Sequence, residues 1–347
     1  MMKTKLLALC ASAAALLGPG ATSAAAQDDR VGTAAMEELL VPVTPRTVAL
    51  GSAMTAGLAN VSGVEAVQSN PAALLSSTGT NALFSRSEYV ADIGINYLGI
   101  SQSFGANSVA FTLTNWDYGD IPRTTEANPE VNLDDPLTYN ASTFVAGATF
   151  SRQFTDRIGA GFTLKALGRT IDATNSNSVA FDAGITYVVA ESGLRFGVAL
   201  QNLGGEMTFS GGGLQQSINQ NGPNGSNQIG GEIDDLPAQL PSVLNFGAAY
   251  TRQFAGELSV SGLANFRSVS YDLERYSAGL ELGYANMIYA RGGVDMTSES
   301  SQDFWQGWNV GAGLNLDLAS TNLKVDYAYR PTNVFGGVNV FSVGIGL

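Results

Sequence analysis

The chain has 347 residues, with 17 Lys and Arg against 30 Asp and Glu, giving a formal net charge of −13. That balance repels phosphate backbones and argues against nucleic acid as a partner. There is no histidine, which removes Ser-His and Cys-His nucleophile systems and imidazole metal ligands. The expectation is a chain that is not an enzyme and carries no metal or cofactor.

In chain order, residues 1–26 read as an export signal. Lys3 and Lys5 form the basic start, residues 6–17 the apolar stretch, and Ala24-Ala25-Ala26 the small-residue cleavage site before Gln27. Cys10, the only cysteine, lies inside it behind Leu9 rather than the small residue a lipid-attachment signal requires. The mature chain therefore forms no disulfide. Residues 27–80 carry no long alternation. Stretches 49–60 and 64–75 read as short helices or loops, and Asn70-Pro71 pairs a good helix cap with a residue suited to the first helical position.

From residue 81 to 347 the dominant signal is period-two alternation, which a barrel wall needs because one face meets lipid and the other the lumen. Val179, Phe181, Ala183, Ile185, Tyr187 and Val189 alternate with polar or small residues, as do Trp308, Val310, Ala312, Leu314 and Leu316. Strands are predicted near 81–91, 92–103, 107–117, 140–152, 157–171, 177–190 and 193–209. The rest fall near 240–254, 256–267, 274–285, 287–297, 305–318, 321–331 and 338–347. The fold class is thus all-β, a transmembrane antiparallel barrel of about 14 strands, an even number as bacterial barrels have. Beyond the signal there is no apolar run long enough for a spanning helix.

Links are predicted short at 153–156, 190–193, 254–256, 284–286 and 319–321. Two long ones, at 118–139 and 206–240, fall on the opposite side. The second is rich in Gly, Asn, Gln and Ser and reads as a mobile external loop. The chain ends on Phe341, Val343, Ile345 and Leu347, an alternating terminal strand. Asp134-Asp135 and Asp234-Asp235 fall in loops and read as solvated charge rather than calcium ligands. Trp116, Tyr118, Tyr276, Tyr284, Trp305 and Trp308 lie near strand ends and read as an interfacial aromatic girdle.

By the same alternation Lys165, Asp182, Arg195, Glu281, Asp295, Asp317, Lys324 and Asp326 face the lumen. Two readings stand for this set. One is a mutually paired lining that fills a narrow barrel, since buried charge is costly unless paired; the other is a path for a ligand or cargo.

Several stretches together resemble the PorV/PorQ group of outer-membrane proteins, relatives of the FadL-type transporters. They are Leu50-Gly51-Ser52-Ala53-Met54, Ser69-Asn70-Pro71-Ala72-Ala73-Leu74 and Tyr118-Gly119-Asp120-Ile121, then Val179-Ala180-Phe181-Asp182-Ala183-Gly184, Gln201-Asn202-Leu203-Gly204 and Asp326-Tyr327-Ala328-Tyr329. The resemblance implies a barrel in a bacterial outer membrane whose lumen is plugged by a hatch, here residues 27–80, with Asn70, Pro71 and Ala72 belonging to it. It also implies a role in type IX-like protein secretion or surface attachment, with secretion-machinery proteins and cargo as partners. The alternative implied is FadL-like passive transport of hydrophobic small molecules.

Overall fold

A computed structural model describes residues 32–58, 63–125, 129–130, 136–189, 192–222, 225–254, 257–297, 304–318 and 321–347. The predicted export signal, Cys10 and Asp134-Asp135 lie outside the described residues.

The wall begins with β1 (Thr80–Glu88), β2 (Gly94–Phe104), β3 (Asn107–Pro122), β4 (Thr138–Gln153), β5 (Ile158–Ile171), β6 (Thr174–Val188) and β7 (Leu194–Gly204). A short β8 (Ser210–Gly211) and a hairpin of β9 (Gln215–Gly222) and β10 (Gly225–Glu232) intervene. The wall resumes with β11 (Val243–Gln253), β12 (Leu258–Val269), β13 (Arg275–Tyr284) and β14 (Ile288–Thr297). It finishes with β15 (Trp308–Leu318), β16 (Thr321–Arg330) and β17 (Val338–Gly346). Each wall strand pairs antiparallel with its neighbours, and β1 closes on β17 in the register Asn81↔Gly346 to Glu88↔Asn339. The result is a closed barrel of 14 strands. Closure removes the edges of the wall sheet, which is what lets a sheet stand in a medium without water.

The alternation sorts the residues as the sequence pattern requires, with the polarity of a soluble protein inverted. Phe84, Leu98, Phe111, Leu164, Val179 and Phe341 are exposed on the outer face, while Ser85, Tyr97, Ala110, Lys165, Ala180 and Val340 beside them are buried. Two bulges interrupt the pairing, between Asp117 and Asp120 in β3 and between Phe181 and Ala183 in β6. Beyond the first of these, β3 and β4 continue to Pro122 and Thr138.

The stretch 206–240, expected as a mobile external loop, contains a hairpin in which β9 and β10 pair residue for residue from Gln215↔Glu232 to Gly222↔Gly225, and Met207 and Leu240 near its two ends are buried with Met36. Backbone pairing, rather than apolar alternation, organises this polar hairpin.

Residues 36–58 and 63–76 lie inside the barrel. They contain a 3-10 turn at Glu37–Leu40, α1 (Pro45–Ala49), α2 (Gly63–Ala66) and a second 3-10 turn at Pro71–Ser76. Leu50, Ala53, Met54, Ala56 and Leu58 are fully enclosed and pack on Ala249 and Leu263 of the wall. Full burial of a side chain such as Leu50 or Met54 contributes roughly 1.5–3 kcal/mol, so this segment supplies the apolar core that the barrel wall, apolar outward, cannot make alone.

Candidate functional site

Among the described residues, the interior gathers polar side chains from the plug and from several wall strands. The plug is seated on wall glycines. A Cβ on Gly293 of β14 would come within 2.5 Å of the Leu50 carbonyl carbon, and one on Gly247 of β11 within 2.8 Å of the Ala56 nitrogen. Backbone meets backbone there, which only glycine permits.

Asn70, Pro71 and Ala72 occupy such a seat on β4 to β6. The Asn70 Oδ1 accepts from the Ala72 amide at 2.9 Å, capping the 3-10 turn, while its Nδ2 donates to the carbonyls of Thr55 and Ile185 at 2.8 and 3.2 Å. Ser151 of β4 donates its hydroxyl to the Pro71 carbonyl at 2.8 Å, and Gly161 and Gly184 leave the room that the turn fills. Similar wall-to-plug bonds run from Ser85 to the Val43 carbonyl and from the Tyr97 hydroxyl to the Val64 carbonyl, both 2.8 Å.

Five of the eight predicted lumen charges fall into three groups. Glu281 and Asp326 join a buried chain that crosses from plug to wall: Glu65 to Arg46 at 3.3 Å, Arg46 to Glu281 at 2.8 Å, Glu281 to Arg291 at 2.6 Å, and Arg291 to Asp326. Arg46 and Arg291 both lie near the Tyr289 ring. Burial opposes the Arg46 charge, but Glu281 and then Glu65 outweigh it and raise the guanidinium above its ordinary value. Asp295 sits toward the long-loop end, where Arg330 reaches it at 2.8 Å and Arg275 at 3.8 Å. Lys165 and Asp182 pair at 2.6 Å, with Asn202 tied to both.

The remaining three are placed differently. Arg195 is half-buried and meets Ser76 at 3.4 Å. Asp317 is exposed, and it lines with Lys324 a polar vestibule of about 600 Å³ at the short-turn end, together with Asn81, Asn315 and Asn322. Alternation missed Arg291 and Arg330, which share the inward faces of Asp295 and Asp326 and were readable by the same period. Arg46, Glu65 and Glu38 sit in the plug, where no period exists to mark them; Glu38 receives Arg169 and the Tyr118 hydroxyl.

The girdle expectation needs correction. Tyr276, Tyr284 and Trp308 are exposed on the outer face, but Trp116 is buried inside the barrel and Trp305 lies half-buried under the Arg330 guanidinium. Trp116 occupies an inward position of β3, so its proximity to the strand end was misleading. It lines a small cavity of about 40 Å³ with Leu39 and Val67 of the plug and Tyr97 and Val145 of the wall.

No protein-family model matches the chain, and no curated protein matches it at a significant level. Solved structures do resemble it. The Pseudomonas putida toluene transporter TodX superposes with a TM-score of 0.54 at 12% identity, covering 87% of this chain and 96% of that one. The Ralstonia pickettii toluene transporter TbuX gives 0.51 at 14% identity, over 87% and 96% of the two chains. A Pseudomonas aeruginosa FadL homologue gives 0.52 at 13% identity, over 88% and 98%. This chain thus has the barrel fold of FadL-type structures.

Proposed function

We propose that the chain spans the outer membrane of a Gram-negative-type bacterium and carries small apolar molecules across it passively, with residues 36–76 acting as the hatch. The observation that carries this reading is a FadL-type barrel whose plug and wall enclose a cavity with an apolar side at Leu39, Val67, Tyr97, Trp116 and Val145 and a charged side at Glu38, Lys165 and Asp182. A dry apolar cavity known to hold benzene measures about 150 Å³, far more than the 40 Å³ here, so in this reading the hatch shifts to admit cargo. The outer face supports the membrane location, because exposed Phe, Leu, Val and Ile around the whole circumference suit lipid and not water.

The secretion or surface-attachment role implied by the PorV/PorQ resemblance rests on the short sequence stretches alone, and the likeness of fold to two toluene transporters favours transport. The test is uptake of labelled toluene at low concentration by a Gram-negative host displaying the chain. Uptake several-fold above an empty-vector control supports transport. Equal rates, with a large pore and cargo proteins copurifying from the native membrane, would replace it with secretion.

A further inference from the structure

We propose that the polar vestibule at the short-turn end is a binding site for an uncharged saccharide; the proposal does not depend on the transport reading. Strand register builds its wall. Asn81 of β1, Gly346 of β17, Asn322 of β16 and Asp317 of β15 stand opposite one another in a row across four strands. Gly344, Lys324 and Asn315 form the next row toward the barrel centre. All seven alternate with outward residues such as Val343, Ile345, Val325 and Leu316. The two glycines leave out a side chain in the middle of this frame. A Cβ on Gly346 would stand 3.3 Å from the Asn81 Oδ1 and 3.6 Å from the Asn322 Cβ, and one on Gly344 3.6 Å from the Lys324 Cβ. The wall is therefore recessed between Asn81 on one side and Asn322 and Lys324 on the other.

The polar groups around the recess are held in place by bonds that leave part of their capacity unused. Asn81 donates its Nδ2 to the Thr78 carbonyl at 2.9 Å, which turns its Oδ1 toward the space over Gly346. The Asn315 Nδ2 and the Tyr289 hydroxyl both donate to the Asn286 carbonyl, at 3.1 and 3.3 Å, and fix the β13–β14 link at the rim with Asn286 exposed on the vestibule. Asp317 accepts from the Asn322 amide instead of pairing with Lys324. Asn315 and Asn322 each keep a buried Oδ1 with no hydrogen-bond partner among the described residues, and such atoms in a native fold call for an explanation. The vestibule of about 600 Å³ falls in the size range of small-molecule sites, roughly 300–1,000 Å³. Those sites are mostly apolar, whereas amides and hydroxyls dominate this one, so a hydrocarbon gains nothing from it. Its two ionisable side chains, Lys324 and Asp317, cancel in formal charge, so it selects neither an anion nor a cation. Amides and hydroxyls both donate and accept, as the hydroxyls of a sugar do.

The experiment is equilibrium dialysis of labelled chitotriose, an uncharged trisaccharide, against the full chain purified in detergent. Wild type is compared with Asn322→Leu, Lys324→Met and Trp308→Ala, the last an exposed residue of the outer face. Heat-modifiable mobility in detergent gels reports that each barrel is folded. Saturable binding is expected in the wild type and in Trp308→Ala, weakened about tenfold or more in the other two, as loss of a hydrogen bond to a ligand implies. No saturable binding in the wild type overturns the site, and equal binding in all four chains overturns its location. Displacement of the trisaccharide by dialanine as effective as by unlabelled chitotriose shows recognition of a zwitterion and overturns the saccharide. Retention of the wild type, but not of Asn322→Leu, on purified cell-wall sacculi supports the site with cell-wall glycan as its source. Binding of the soluble trisaccharide without retention on sacculi supports it with a free oligosaccharide as the source.

Discussion

Glu281 illustrates how charge is accommodated inside the barrel. It is nearly fully buried, yet it receives Arg46 from the plug through both Nε and Nη2, at 2.8 and 3.1 Å, and Arg291 from the neighbouring strand. Among the described residues Glu65 pairs with Arg46 alone, at 3.3 Å. Arg46→Ala therefore strands a buried carboxylate, and breaking a buried pair in that way costs about 3–5 kcal/mol. The expected outcome is a lower temperature of barrel unfolding in detergent gels, together with new protease cleavage within residues 36–76. Adding Glu65→Gln on the Arg46→Ala background removes the stranded charge and is expected to recover a large part of the loss. A double variant no better than the single one would place the damage in lost packing of Arg46 against Tyr289 instead. At this scale the sequence was partly legible: period two told which charges point inward, but which carboxylate meets which guanidinium depends on residues 235 positions apart, Arg46 and Glu281, and on a plug with no period of its own.

Glycines decide how the elements fit. Among wall positions Gly293 sits against the plug backbone at Leu50, whereas Gly262 of β12 has nothing within 4 Å of where its Cβ would be. Gly293→Ala is expected to force β14 away from the plug and to leave much of the chain unassembled, while Gly262→Ala gives a normally folded barrel; overpacking a tight contact typically costs 1–3 kcal/mol or more. Quantifying the heat-modifiable, folded fraction of each variant in isolated outer membranes checks this, and equal fractions would mean the plug seats elsewhere. The contrast explains why strands were readable from sequence and the plug was not. A strand of 9 to 16 residues such as β1 or β3 repeats its in-and-out pattern several times, but α1 and α2 span five and four residues, barely one helical turn each. The β9–β10 hairpin was missed for a different reason. Its residues are nearly all Gly, Asn, Gln and Ser, so it shows no apolar face, and only backbone pairing defines it.

On the scale of the whole molecule, the transport reading requires that the plug move, because the interior cavity beside Trp116 is smaller than any cargo. The structure offers a way to arrest that motion. A Cβ on Gly279 of β13 would stand 3.1 Å from the Leu50 Cβ and 2.8 Å from the Leu50 carbonyl oxygen, inside the 3.5–4.5 Å that a disulfide needs, so the plug must shift by a few tenths of an ångström to accept the pair. Cys10 lies in the predicted export signal, so Leu50→Cys/Gly279→Cys introduces the pair into a chain otherwise free of cysteine after that segment. Oxidised, this variant ties the core of the plug to the wall; reduced, it releases it. If the plug must leave its seat near β13, toluene uptake is expected to fall severalfold on oxidation and to recover with reductant, while wild-type uptake ignores both treatments. The reduced form of the same variant serves as the folding control, since a general packing defect would persist in it. Uptake that is equal in the oxidised and reduced states would confine the moving part to plug residues away from Leu50, with the turn at Pro71–Ser76 and the 3-10 turn at Glu37–Leu40 as the elements still free to swing.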